Sequence, residues 1–126
     1  MSWQSYVDDQ LIATGMIKKA VICGHDGNIW AQTPGFNVTQ AELSTLISKY
    51  TNTEELALSG VTIAGVRYMF LSNTDKVIRA KKGTSGIHTI KTTQALILCV
   101  YEDPIVPEQA ATVTEKLGEY LISMGY

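Results

Sequence analysis

The run Ala95-Leu96-Ile97-Leu98-Cys99-Val100 is apolar at every position. A strand with one wet face alternates apolar and polar residues, so an unbroken apolar strand in an antiparallel sheet needs cover on both faces. The segments before it read as a meander of short strands: Val61-Thr62-Ile63, Val66 to Leu71, Lys76 to Ala80 and Ile87 to Lys91. Gly65, Asn73-Thr74-Asp75, Gly83-Thr84-Ser85-Gly86 and Thr92-Thr93-Gln94 separate them. The cover must come from helices on both sides of the sheet.

Helical patterns are present at both ends and in the middle. Ser2 precedes Trp3, Tyr6, Val7, Leu11 and Ile12, apolar positions at spacings of three and four, and Gly15 suits a left-handed C-cap. Thr39 with Glu42 matches a capping box ahead of Leu43, Leu46, Ile47 and Tyr50. A shorter helix is expected from Thr53 to Gly60, with Leu56 and Leu58 available for burial. After Pro104 and Pro107, the stripe Ala110, Val113, Thr114, Leu117, Leu121 and Met124 predicts a last helix. Between the first two helices, Ala20-Val21-Ile22-Cys23 reads as a buried strand. Asp26-Gly27 is expected to supply the positive φ angles of a tight hairpin turn into Asn28 to Gln32.

A chain of 126 residues, 45% hydrophobic with a net charge of -2, fits one compact domain over residues 1–126. No run approaches the roughly 20 apolar residues of a membrane span, and the start lacks the pattern of a signal peptide, so a cytoplasmic location is expected. Cys23 and Cys99 lie inside apolar runs and read as buried thiols. The mild acidity argues against nucleic acid as a partner.

Chemistry is sparse. Zinc-protease, phosphate-loop and dinucleotide motifs are absent, and no metal or cofactor is expected. Adjacent carboxylates such as Asp8-Asp9 and Glu54-Glu55 point about 100° apart on a helix, which disfavours a shared proton. His25 and His88 read as hydrogen-bonding or solvent-facing residues. The aromatic residues say more: Trp3 and Tyr6 near the start, Trp30 on a short strand, and Tyr120 and Tyr126 near the end. They either staple the first helix onto the last or form an exposed shelf. Such a shelf suits a polyproline helix, whose rings stack on aromatic faces and whose carbonyls accept from indole and phenol donors. Lys76, Arg79, Lys81, Lys82 and Lys91 concentrate positive charge on consecutive strands. They read either as a local basic patch or as a lysine-protected sheet edge.

The opening Ser2-Trp3-Gln4-Ser5-Tyr6-Val7-Asp8, the segment Asp26-Gly27-Asn28-Ile29-Trp30-Ala31, the turn Lys81-Lys82-Gly83 and the ending Glu115-Lys116-Leu117-Gly118-Glu119-Tyr120-Leu121-Ile122 resemble profilin, a family of small actin-monomer-binding proteins. The likeness spans the whole chain. It implies an α+β fold, a central antiparallel sheet with the terminal helices on one face and two short helices on the other. It implies a groove for proline-rich ligands, formins among them, at Trp3, Tyr6, Trp30, Tyr120, Leu121 and Tyr126. It also implies an actin-binding face at Leu58, Arg67, Phe70, Lys81, Lys82 and Glu115. Local charge and the resemblance together suggest phosphoinositide binding at Arg67, Arg79, Lys81 and Lys82. Ser72 stands where relatives often carry an Arg at the actin contact, Arg79-Ala80 where they carry Tyr-Gly, and Pro107-Glu108 where they carry Pro-Gly.

The expected function is a non-catalytic adaptor of the cytoskeleton, with actin on one face and a proline-rich partner on the other. The alternatives are a stand-alone proline-peptide or phosphoinositide-binding module with a drifted actin face and, more distantly, a small enzyme using His25 or His88.

Overall fold

The computed structural model describes residues 2–126. Seven antiparallel strands form one sheet: β1 (Lys19–Gly24), β2 (Ile29–Gln32), β3 (Val61–Ile63), β4 (Val66–Asn73), β5 (Val77–Lys82), β6 (Ser85–Lys91) and β7 (Ala95–Tyr101), in the order β2-β1-β7-β6-β5-β4-β3. The apolar strand β7 lies between β1 and β6, and all of its residues are buried. Leu96, Leu98 and Val100 enter one core cluster with Leu43, Leu46 and Leu56, from α2 (Gln40–Ser48) and α3 (Thr53–Ser59). Ala95, Ile97, Cys99 and Tyr101 enter the other, with Val7 and Leu11 from the N-terminal helical segment and Ala110, Leu117 and Leu121 from α4 (Pro107–Ser123). The terminal helices thus cover one face and the two short helices the other. Among the described residues, no helix is long and apolar enough to cross a membrane.

The N-terminal segment is less regular than its spacing predicts. It opens as α1 (Trp3–Ser5), winds as a π-helix over Tyr6–Leu11 and closes as a 3-10 turn over Ile12–Thr14, with Gly15 left-handed at φ 76°. Its start is as expected: the Ser2 hydroxyl accepts the Ser5 N–H at 3.1 Å.

Turn chemistry differs from expectation at two hairpins, and at a third Gly65 makes the expected break with a left-handed neighbour. Between β1 and β2 only Gly27 has a positive φ (86°). The loop runs over four residues, His25 to Asn28, closed by Gly27 N–H to Gly24 C=O at 3.0 Å and by Gly24 N–H to Asn28 C=O at 2.9 Å. Between β5 and β6, Lys82 pairs with Ser85, which shortens the expected Gly83–Gly86 loop to Gly83-Thr84. Between β3 and β4, both Ala64 (φ 53°) and Gly65 (φ 77°) are left-handed. The Glu42 carboxylate accepts their N–H groups at 2.9 Å each while its capping-box bond to Thr39 N–H stands at 3.0 Å.

Leu56 is buried as expected, but Leu58 is 81% exposed. Two residues on, it faces away from the core on a helix that has only one covered side.

Candidate functional site

Trp3 sits at the centre of an aromatic cluster built by three separate parts of the chain, the N-terminal segment, β2 and the C-terminal end. Its ring lies 4.7 Å from Trp30, 5.5 Å from Tyr6 and 5.2 Å from Tyr126, the last edge-on at 84°. Tyr6 continues the row to Tyr120 at 6.3 Å. These separations are those of favourable aromatic pairs. The inner rings of Trp3, Tyr6 and Trp30 pack partly against the terminal-helix core, whereas Tyr120 and Tyr126 are 47% and 42% exposed. Stapling and exposure are therefore both present in one structure.

Each part is held for a local reason. Gln4 Nε2 donates to the Gln32 carbonyl at 2.9 Å, tying the first turn to β2. On β2 the pairing steps from Ala31 opposite Ile22 to Ile29 opposite Cys23, leaving Trp30 as the extra residue of a bulge. A bulge re-aims side chains: Trp30 and Ala31, though consecutive, both pack with the terminal-helix core, while Ile29 packs on the opposite side. Gly24 leaves room for the indole, because a Cβ there would stand 3.3 Å from its ring. At the far end Gly125 (φ 88°) turns the chain back. The Tyr126 carbonyl then accepts from Gln94 N–H and from the Thr92 hydroxyl, the latter at 2.7 Å. His25 Nε2 reaches the Thr92 carbonyl at 3.0 Å, so this histidine ties the β1–β2 loop to the turn that holds Tyr126.

The rings surround a hollow of about 210 Å³ lined by Trp3, Tyr6, Leu121, Met124 and Tyr126. Leu121 is buried and forms its floor. Met124, 58% exposed, belongs to the apolar stripe of the last helix and stands in the wall of the hollow. Burial first, and then the neighbouring Tyr120 phenol, push the Tyr6 hydroxyl above its ordinary pKa. It remains a hydrogen-bond donor at neutral pH.

The cationic residues divide. Arg67, Phe70, Lys81 and Lys82 line a shallow groove of about 330 Å³ at the α3–β4–β5 edge, together with Ala57, Gly60, Met69 and Gly83. Arg67 Nε donates to the Ser59 carbonyl at 3.0 Å, across the C-terminal end of α3, which carries the exposed Leu58. Met69, 68% exposed, escaped the sequence reading. Strand alternation could have found it, since Tyr68 is buried and Arg67 and Met69 face outward.

Glu115 and Arg79 lie outside that groove. Glu115 accepts from His88 Nε2 at 2.8 Å and stands 4.0 Å from the Arg79 guanidinium, which also donates to the Ser72 hydroxyl at 3.1 Å. His88 is 2% exposed, so it is a hydrogen-bonding rather than a solvent-facing histidine. Burial depresses its pKa against the upward pull of Glu115. Cys23 and Cys99 are free buried thiols, each pushed up to about 12, chiefly by burial.

The family model described as Profilin matches residues 1–126. A profilin of Drosophila melanogaster is 60% identical over 126 residues, covering all of both chains. The chain belongs to the profilin family. Among solved structures, profilin II of Acanthamoeba castellanii superposes with a TM-score of 0.96 at 41% identity, covering 99% of this chain and 100% of the other. Mouse profilin IIa, in complex with a double repeat from the FH1 domain of mDia1, superposes at 0.84 with 20% identity, covering all of both chains, a likeness of fold alone. This profilin thus joins the seven-stranded sheet and its two helical layers to a shelf of aromatic rings and, elsewhere on the molecule, a groove lined by basic and apolar residues.

Proposed function

We propose that this profilin is a non-catalytic adaptor of the cytoplasm and cytoskeleton that binds proline-rich segments on its aromatic shelf and actin monomers on its basic edge. The observation that carries the reading is Trp3, ringed by Trp30, Tyr6 and Tyr126 within 5.5 Å and open to a hollow beside them. Pyrrolidine rings stack on such faces, and a polyproline chain, all acceptors, meets indole N–H and phenol O–H donors there. The mouse profilin solved with an FH1 repeat supports a proline-rich ligand. Trp3, Tyr6, Trp30, Tyr120, Leu121 and Tyr126 are the proposed contacts.

For actin we propose Leu58, Arg67, Phe70, Lys81 and Lys82 as direct contacts, an apolar centre with a cationic rim that suits a reversible interface. Glu115, engaged by His88 and Arg79, is proposed to shape that surface from α4. Arg67, Arg79, Lys81 and Lys82 are the proposed contacts for phosphoinositide headgroups, with weak and salt-sensitive binding expected.

The test combines a fluorescence titration with polyproline and an assembly assay with labelled actin. Polyproline should change the tryptophan emission, and Trp3→Ala should lower affinity by about 1–3 kcal/mol, the size of an aromatic hot spot. Unchanged affinity in a folded Trp3→Ala variant would remove the shelf from the reading. The second reading, a proline-binding module without an actin partner, is favoured by the short Ser72 and gains ground if the wild-type chain leaves actin assembly unaltered.

A further inference from the structure

The aromatic hollow does not end at Tyr6. The same ring lines a larger cleft of about 550 Å³, with Tyr120 beside it, that runs between the N-terminal segment and α4. Its chemistry differs from that of the shelf. Val113 and Leu117 line it with apolar side chains, and two charged residues join them, Asp9 from the N-terminal segment and Lys116 from α4. Neither charged group makes a side-chain hydrogen bond or an ion pair among the described residues.

A proline run offers carbonyl acceptors and no backbone N–H, so an ionised carboxylate, which only accepts, has nothing to take from it. The shelf supplies donors and suits such a run, whereas the cleft supplies an acceptor as well. A polyproline helix advances about 3.1 Å per residue, so a ligand lying along the row of rings passes from shelf to cleft within a few residues. Where the run ends and ordinary residues begin, backbone N–H groups appear.

We propose that this cleft is a subsite for the donor-bearing residues that flank a proline run. Asp9 accepts their backbone N–H groups, Lys116 donates to their carbonyls, and Val113 and Leu117 pack beneath them. The subsite rests on the proline-rich reading of the shelf and adds a preference for ligands in which the run is interrupted.

The experiment uses terminally blocked peptides of ten prolines carrying either Gly-Gly or its N-methylated twin, sarcosine-sarcosine, at one end or the other. Each is titrated by calorimetry into the wild-type chain and into Asp9→Ala and Lys116→Ala, both exposed positions that leave the core untouched. The wild type should bind one Gly-Gly peptide about 3- to 10-fold tighter than its twin, the range of one or two net hydrogen bonds. Asp9→Ala should erase that preference while binding the sarcosine peptide as the wild type does. Lys116→Ala should weaken both twins alike, because both keep their carbonyls. Equal binding of the twins at both ends, or a preference that survives Asp9→Ala, overturns the subsite alone. Failure of every peptide to bind overturns the proline-rich reading and the subsite with it.

Discussion

Glu42 shows how much one side chain can hold. The capping box explains only its bond to Thr39; the same carboxylate also takes the N–H groups of Ala64 and Gly65, clamping α2 to a turn in which a non-glycine residue is left-handed. Burial pushes its pKa up, but these backbone donors and the Thr39 hydroxyl outweigh burial and hold it below the ordinary carboxylate value. A carboxylate more acidic in the folded than in the unfolded chain stabilises fully above the unfolded value, about 4.3, and loses that contribution as pH falls through the folded value. Glu42→Ala should therefore lower the urea-unfolding free energy by about 1–2 kcal/mol at neutral pH. The gap between variant and wild type should narrow on acidification below pH ~4. A gap that stays constant with pH would show that packing, not the charge, carries the effect.

At the scale of elements, the register of helix on sheet decides where the shelf lies. Gly118 lets α4 approach β6 so closely that a Cβ there would stand 2.6 Å from two carbons of Ile90. That contact seats the helix whose far end carries Tyr120 and Leu121. Gly118→Ala should destabilise by about 1–3 kcal/mol through overpacking, although alanine is the better helix former. In an Ile90→Ala background the same substitution should cost little, because the atoms it strikes are gone. Thermal unfolding of the four combinations measures the coupling. Additive effects would mean that α4 shifts freely on the sheet.

At the scale of the molecule, the shelf and the basic groove are built on different elements. The shelf draws on the N-terminal segment, β2 and the end of α4; the groove draws on α3, β4 and β5. Lys81 and Lys82 are exposed and make no ion pair among the described residues, so reversing both to Glu should leave the fold and polyproline affinity intact. The same change should weaken capture of actin monomers, seen as faster assembly of labelled actin than with the wild type. Ser72→Arg should act in the opposite direction, by about 1–3 kcal/mol for an added charge-assisted bond. If assembly were unchanged by the double reversal, the groove would not be the actin contact.

The sequence by itself determined the layering. The apolar run of β7 required two covered faces, and caps, helical spacing and turn residues placed the helices and strands that provide the cover. Periodicity reports which way a side chain points within its own element, and that is enough for a core. The shelf was legible as a set of aromatic residues in odd places and as a family pattern, but its geometry was not. Three facts that only the tertiary structure decided bring the rings together: the bulge at Trp30, the close seat of α4 on Ile90, and the turn that fastens Tyr126 to Thr92 and Gln94. Met124 sits on the apolar stripe of the last helix yet is exposed, since whether an apolar residue on a helix is covered depends on where the neighbouring layer ends. Glu42 shows the converse: a local motif fixed its first hydrogen bond, and a turn 22 residues away in sequence supplied the next. Such pairings between distant parts of the chain leave no period in the sequence, because they depend on how complete layers meet.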